Sequence, residues 1–359
     1  MQGALKSIIN TGKICFLIYN YKQRENLLVH RRRSNMHTPS KVLWIRFGAF
    51  GDVLQAIARA RLFKRKFPGA KLTMLTRPEY QNIVEPQDCF DDFIYWDSKK
   101  KPFGLLACVQ DVRRRGFDTL VSVHNAVSAA FVSKLSGISK CYGYKSLFEN
   151  FYYDKNVWQW FKELGIDKDL RDVPMLQASS AAKKYVAELL PNLSEKAVFC
   201  IPAASKMQKA WPLEYWPVFL ERLIADGWTI LLNGHGQEER RHNEKILSAM
   251  KNKDRVYDLT DKINYDQMCA VLKRCKAAVG NDTGPLHIAA LSGTPTLGFF
   301  GVTPSQKIGF TMPWFREVLC TCPEVGCWNY KCPKRCLETI SADMAYDGFK
   351  KLEKELLTI

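Results

Sequence analysis

The sequence predicts an α/β chain made of two doubly wound parallel sheets that face each other across a cleft. Three observations carry this. The chain has 359 residues, enough for two domains of ordinary size. From Lys41 onward short apolar strands alternate with amphipathic helices, the pattern of β–α–β units whose sheet is covered on both faces. Glycine-containing turns recur where a strand passes into a helix, the place where such folds bind ligands.

Residues 1–40 read as a basic amphipathic leader. Leu5, Ile8, Ile9, Cys15, Phe16 and Tyr19 roughly follow one helical face among Lys6, Lys13, Lys22 and Arg24, and Arg31-Arg32-Arg33 precedes a polar link. Such a helix can lie on an anionic leaflet, or be a docked or frayed terminus without a partner. Residues 41–190 form the first domain, with strands expected at Val42–Ile45, Lys71–Thr76 and Asp118–Val123. A helix from about Val53 to Phe67 is stopped by Pro68-Gly69. Residues 191–340 form the second, with strands at Ala197–Ile201, Trp228–Leu232, Val256–Asp258, Ala277–Val279 and Thr296–Phe300. Helices at Trp216–Asp226 and Gln267–Cys275 fall between them, and a final helix within 341–359 can belong to either half.

Composition narrows the function. At 47% hydrophobic and 12% aromatic residues the chain is too apolar to be disordered. No apolar run approaches the roughly 20 residues that span a bilayer. Lys13 interrupts the one early apolar stretch and no small-residue cleavage site follows, so a cytoplasmic protein is expected. The 53 Lys+Arg against 36 Asp+Glu give +17, which fits nucleic acid, an anionic membrane or a phosphorylated substrate. Of this, +6 falls on residues 1–40, +7 on 41–172 and +4 on 173–359. No nucleic-acid-binding module is recognisable, which makes that partner the remote alternative.

Seven of twelve cysteines are scattered among apolar neighbours, as buried thiols in a reducing compartment would be. The other five, Cys320, Cys322, Cys327, Cys332 and Cys336, form C-x-C-x4-C-x4-C-x3-C. They offer thiols enough for Zn or Fe, but lack the paired C-x2-C knuckles of a strong metal motif. Reduced thiols or a local disulfide are the other readings.

Four turns carry candidate chemistry. In Gly48-Ala49-Phe50-Gly51-Asp52 the glycines allow a tight turn and close approach of another molecule. Asp52 is either an N-cap or a carboxylate placed to take a proton from a substrate hydroxyl. Asn281-Asp282-Thr283-Gly284-Pro285-Leu286-His287 opens a helix whose N–H groups and Thr283 hydroxyl can hold a diphosphate, with Asp282 capping and Pro285 in the first turn. Ser205, Lys206 and Lys209 follow the strand Ala197–Ile201, where a phosphate could be met, Lys206 reading as solvated. Glu238 and Glu239 follow Asn233-Gly234-His235-Gly236; they favour a helix start, or one bonds ribose hydroxyls.

Together the segments W-I-R-F-G-A-F-G-D-V-L, K-A-W-P and N-D-T-G-P-L-H-I-A-A-L-S-G-T-P-T…F-F-G-V-T-P resemble glycosyltransferase family 9, which includes the ADP-heptose:lipopolysaccharide heptosyltransferases. The likeness runs from residue 41 to about 340. It implies the GT-B fold and an inverting sugar transfer without a metal. Asp52 would be the general base, and Lys209 would meet the donor phosphates. Asp282, Thr283, Gly284 and His287 would bind the diphosphate, and Glu238 or Glu239 the nucleoside. Ser205 is the one hydroxyl where the family often has several hydroxyl and basic residues. Arg46, Gly51 and His124 stand on the acceptor side, His124 otherwise being a core histidine. The implied donor is ADP-heptose and the implied acceptor an anionic Kdo–lipid A or heptosyl core at the inner leaflet. Family members with another acceptor, such as O-antigen or protein, or another donor remain alternatives.

Overall fold

A computed structural model describes residues 38–97, 103–144, 153–166, 176–308 and 310–357. The leader read over residues 1–40 lies outside these apart from its last three residues, and Cys15 lies outside them. The chain divides after Thr38, and residues 39–359 form one compact unit.

In chain order the first sheet is built from β1 (Lys41–Ile45), α1 (Phe50–Lys66), β2 (Lys71–Thr76), α2 (Gln81–Val84) and β3 (Asp92–Tyr95). It continues with α3 (Phe103–Arg115), β4 (Thr119–Ser122), α4 (Val127–Ser136), β5 (Lys140–Gly143), β6 (Lys155–Asn156) and α5 (Val157–Leu164). After α6 (Ser180–Leu189) come β7 (Ala197–Ile201), α7 (Tyr215–Ala225), β8 (Thr229–Leu232), α8 (Gly236–Ala249) and β9 (Val256–Asp258). Then follow α9 (Tyr265–Leu272), β10 (Ala277–Asn281), α10 (Gly284–Leu291), β11 (Thr296–Phe300), β12 (Phe315–Leu319) and α11 (Ala342–Leu356).

The two sheets repeat one topology. Their orders are β3-β2-β1-β4-β5-β6 and β12-β11-β10-β7-β8-β9, and every pairing is parallel. Each is the doubly wound order, which reverses between β1 and β4 in one sheet and between β7 and β10 in the other. Connections leave these strand pairs in opposite directions, so a crevice opens beyond their carboxyl ends. Three of the four turns singled out in the sequence begin here, at Arg46 after β1, Pro202 after β7 and Asp282 after β10; the fourth, from Asn233, follows β8.

The central strands are buried along nearly their whole length, as strands covered on both faces require. Trp44 on β1 stacks on Phe161 of α5 and meets Phe63 of α1 edge-on. In the second sheet Trp211, Trp216, Phe219 and Phe299 form one aromatic cluster. The final helix joins this second core, with Phe349 against Trp228 and Phe219. β3, β5, β6 and β12 carry no expectation from the sequence, and α1 starts at Phe50 rather than Val53. Among the described residues no helix is long and apolar enough to cross a membrane.

Candidate functional site

A cavity of about 950 Å³ opens at the crevice and is lined from both halves of the compact unit. On the first wall, β1 ends at Ile45 and the backbone turns through Gly48 into α1. Tyr80 braces this turn, its hydroxyl donating to the Gly48 carbonyl at 2.8 Å. The N-cap of α1 is Ala49, with no side-chain capping bond. Asp52 is therefore not the N-cap: it sits in the first turn, where the helix dipole favours an acid, with a side chain 53% exposed. It forms an ion pair with Arg46, whose guanidinium also donates to the Val123 carbonyl. Arg46 was expected to face substrate charge directly. Here it is engaged first with Asp52, fixing the carboxylate on the rim.

His124, the third acceptor-side candidate, does not line this cavity. Its ring meets Phe47 edge-on at 5.5 Å, and Nδ1 is buried without a hydrogen-bond partner. The residue is half-buried, not part of the closed core.

The second wall grows from a buried tryptophan. Trp211 is 1% exposed; its indole N–H donates to the Ile340 carbonyl at 2.7 Å and its backbone N–H to Asn281 Oδ1 at 3.0 Å. Asn281, at the end of β10, donates in turn to the Pro202 carbonyl at 2.6 Å. These bonds pin the loop 202–211 to the strand next door. Lys209, two residues before the anchor, reaches the carboxylate of Asp282, Nζ to Oδ2 2.7 Å. Asp282 is 3% exposed and also accepts from the Thr303 hydroxyl. Asp282 does not cap α10, whose N-cap is Thr283. A carboxylate buried this deeply needs its charged and hydroxyl partners, so it holds Lys209 in place.

At the start of α10 the Leu286 and His287 N–H groups return to the Thr283 carbonyl and Pro285 has none. Thr283 and Gly284 line the cavity at the positive end of the helix.

The walls touch at their glycines. A Cβ on Gly284 would come within 2.4 Å of the Phe50 ring, and one on Gly51 within 3.2 Å of the His287 ring. Only small residues let the two helix starts close on each other. Phe50 also stacks on Tyr265 at 4.1 Å. Thus Gly51, expected on the acceptor side, and His287, expected on the donor side, are direct neighbours. His287 stacks on Phe310 at 4.4 Å, with Nε2 3.9 Å from Asp282.

Burial lowers the pKa of His287 to about 4, and burial, with Arg46 next, lowers that of His124 to about 4 as well. Both imidazoles are neutral at physiological pH. As pH falls through 6.5 the unfolded chain takes up these protons first. Their stability contribution is therefore complete above that value and lost as pH falls toward 4, about 3 kcal/mol for His287 and less for the more solvated His124. Urea midpoints measured from pH 7 to 4.5 should fall accordingly, and His124→Phe should flatten the decline. An unchanged midpoint across this range would contradict the assignment.

Of the two candidate acids, Glu239 lines the cavity and Glu238 does not. Glu239 accepts from the His235 N–H at 2.7 Å, and burial raises its pKa. Ser205 lines the cavity; Lys206 is exposed and does not. The site also contains residues that were given no role from the sequence: Thr303, Tyr265, and Trp328 and Tyr330 of the cysteine-rich loop. The Lys209 ammonium lies 5.6 Å from the Tyr330 ring centre. Thr303 belongs to the F-F-G-V-T-P segment quoted above, so a signal for it was present.

The five clustered cysteines lie near one another, the Cys336 thiol interacting directly with Cys320 and Cys322 and electrostatically with Cys332, and Cys320 with Cys327. Cys320 and Cys336 are buried in the second core, whereas Cys327 is exposed. Among the described residues no group of three or more His, Cys, Asp or Glu is disposed to hold a metal ion, and all eleven described cysteines are free thiols. The loop is tied to its surroundings by other means, Gln208 Nε2 donating to the Cys332 carbonyl at 2.9 Å and Trp328 N–H to the Val302 carbonyl at 2.8 Å.

Two doubly wound halves that line one cavity at their switch points make up the GT-B architecture. The sequence profile of glycosyltransferase family 9 (heptosyltransferase) matches residues 105–338, more than half of the chain, and the chain belongs to that family. It is 26% identical over 226 residues to lipopolysaccharide heptosyltransferase 2 of Escherichia coli K12, a match covering 56% of this chain and 64% of that protein. To lipopolysaccharide heptosyltransferase 2 of Salmonella typhimurium LT2 it is 24% identical over 309 residues, 76% of this chain and 85% of the relative. In fold it is similar to a heptosyltransferase of E. coli solved with ADP-2-deoxy-2-fluoro heptose, with a TM-score of 0.65 at 18% identity, over 87% of this chain and 99% of that one.

Proposed function

We propose that this chain transfers a heptosyl group from ADP-heptose to the anionic inner core of a lipopolysaccharide precursor, Kdo–lipid A or a heptosyl acceptor. The transfer inverts the anomeric centre and uses no metal. The observation that carries this is the opposition of Asp52 to the Lys209–Gly284 pair within one cavity. The relatives' names and the ADP-sugar bound by the structural neighbour support the choice of donor.

Loss of a nucleoside diphosphate from an anomeric carbon puts negative charge on the leaving oxygen and positive charge on the ring. Lys209 and the start of α10 answer the first, where a divalent cation would otherwise be needed. Asp52 removes the proton of the attacking hydroxyl on the opposite face, and a single carboxylate acting as base gives inversion. Glu239 is the acid we assign to the nucleoside, with Ser205 and Thr283 as hydroxyl donors to the phosphates. Residues 41–190 serve as the acceptor half and residues 191–340 as the donor half. The acceptor half's positive charge suits a phosphorylated, carboxylated glycolipid, and the leader suits the cytoplasmic face of the membrane that carries it.

Transfer by purified protein to Kdo–lipid A, with ADP-heptose compared against other nucleotide sugars, tests this reading. Preference for another sugar or acceptor would move it to the O-antigen or protein alternative. The same preparation, assayed with a chelator and analysed for Zn and Fe, should keep full activity without stoichiometric metal. Deleting residues 1–38 should weaken binding to anionic vesicles more than transfer to a soluble acceptor; an equal loss of both would sink the membrane role of the leader.

A further inference from the structure

The cysteine-rich loop brings two aromatic residues to the donor wall. Trp328 and Tyr330 both line the cavity and are 43% and 37% exposed. The Lys209 ammonium lies 5.6 Å from the Tyr330 ring centre, so this part of the wall adjoins the cation assigned to the leaving diphosphate. We propose that Trp328, with Tyr330 beside it, is the platform on which the sugar ring of the nucleotide-sugar donor stacks. This rests on the reading of Lys209 as the residue that meets the donor phosphates, since the sugar is the next group along from them.

The backbone marks Trp328 out. Its φ is 59°, in the left-handed region, and among the described non-glycine residues only Asp261 shares that conformation. A bulky side chain adopts it at a cost, and one this exposed recovers little of that cost by burial. The loop imposes the conformation. Gly326, with φ 80°, donates its N–H to the Gly301 carbonyl at 2.7 Å, and the Trp328 N–H donates to the Val302 carbonyl at 2.8 Å. The Tyr330 N–H then returns to the Trp328 carbonyl at 3.1 Å. Gln208, next to Lys209, holds the Cys332 carbonyl at 2.9 Å, and the Cys336 thiol meets those of Cys320 and Cys322 at the base of the loop. Val302 precedes Thr303, which donates to Asp282, the partner of Lys209. One connected set of bonds therefore fixes the phosphate-side lysine and the aromatic pair together. Strain kept at an exposed aromatic residue of a cavity points to binding, not to folding. The chemistry fits a sugar. A pyranose carries C–H groups on its ring faces and hydroxyls at its edge. Stacking on an indole removes apolar area of both from water and sets polarised C–H groups over the ring's negative face. Gln306 and Lys307, which line the same cavity, supply polar groups for the hydroxyl edge.

Calorimetry on the full chain with ADP and with ADP-heptose, in the absence of acceptor, tests the platform through the ratio of the two dissociation constants. Trp328→Asn should shift that ratio against ADP-heptose by about 10-fold while ADP affinity stays at the wild-type value. Trp328→Phe keeps a ring and should keep most of the ratio. It should also lose the change in indole emission that ADP-heptose adds to that of ADP. Asparagine tolerates positive φ, so the urea midpoint of Trp328→Asn should be no lower than that of the wild type; a lower one would make the tryptophan a prop of the loop. The platform is overturned if Trp328→Asn weakens both ligands alike, leaves the ratio unchanged or raises only the KM for acceptor, or if ADP-heptose does not bind. A ratio that depends on Trp328 in a protein that transfers nothing would reject the transfer and keep the platform. Transfer with a ratio indifferent to Trp328 would do the reverse.

Discussion

Replacing Asp52 with Asn should abolish most of the transfer activity, lowering kcat by about 10²- to 10⁴-fold, the range of a positioned general base. The substitution keeps the shape and removes the capacity to take a proton. Little else should change. The side chain is 53% exposed and an ion pair at such a site is worth about 1 kcal/mol or less, so unfolding midpoints should stay close to the wild type. ADP affinity should be unaltered, because Lys209 and Gly284, which we assign to the donor, stand on the other wall. Arg46 is the built-in control: Arg46→Lys preserves a cation beside Asp52 but loosens the fork, and should cost less than Asp52→Asn. Activity of Asp52→Asn within tenfold of wild type would reject the base and leave the carboxylate as no more than a partner of Arg46.

Why Asp52 was ambiguous in the sequence is instructive. A glycine-rich turn followed by an acid is equally the signature of a cap and of a catalytic carboxylate. The two differ only by where the helix begins. It begins three residues earlier than the apolar pattern suggests: Phe50 opens the helix and packs on Gly284 and Tyr265 as well as against the first core. That partner lies more than 200 residues away and leaves no local trace. The central strands were legible for the opposite reason: continuous apolar runs between turns, buried on both faces, define β1, β7 and β11 without reference to distant sequence. The edge strands β3, β6 and β12 are partly exposed and carry no such run. Likewise the expectation of a phosphate site at the D-T-G turn draws on that turn's own residues. The pairing of Lys209 with Asp282, and of Asp282 with Thr303, depends on three loops converging after three different strands.

The Lys209–Asp282 pair makes the second large prediction, and also a difficulty that has to be designed around. Lys209→Met removes the cation we assign to the leaving diphosphate, and should lower kcat by about 10²- to 10³-fold, as loss of a preorganised charge-stabilising group does. It also leaves the Asp282 carboxylate, 3% exposed, without a cation, beside the Thr303 hydroxyl and the neutral His287 ring. Stranding one member of a buried pair costs about 3 kcal/mol of stability, so lost activity alone could mean a damaged fold. The double variant Lys209→Met/Asp282→Asn separates the two effects. The amide that replaces the carboxylate is neutral and still accepts from Thr303, so most of the lost stability should return in a urea titration. Activity should not, because the charge opposite the phosphates is still missing. Recovery of both would show that Lys209 merely neutralises a buried acid; recovery of stability alone assigns it to the transition state.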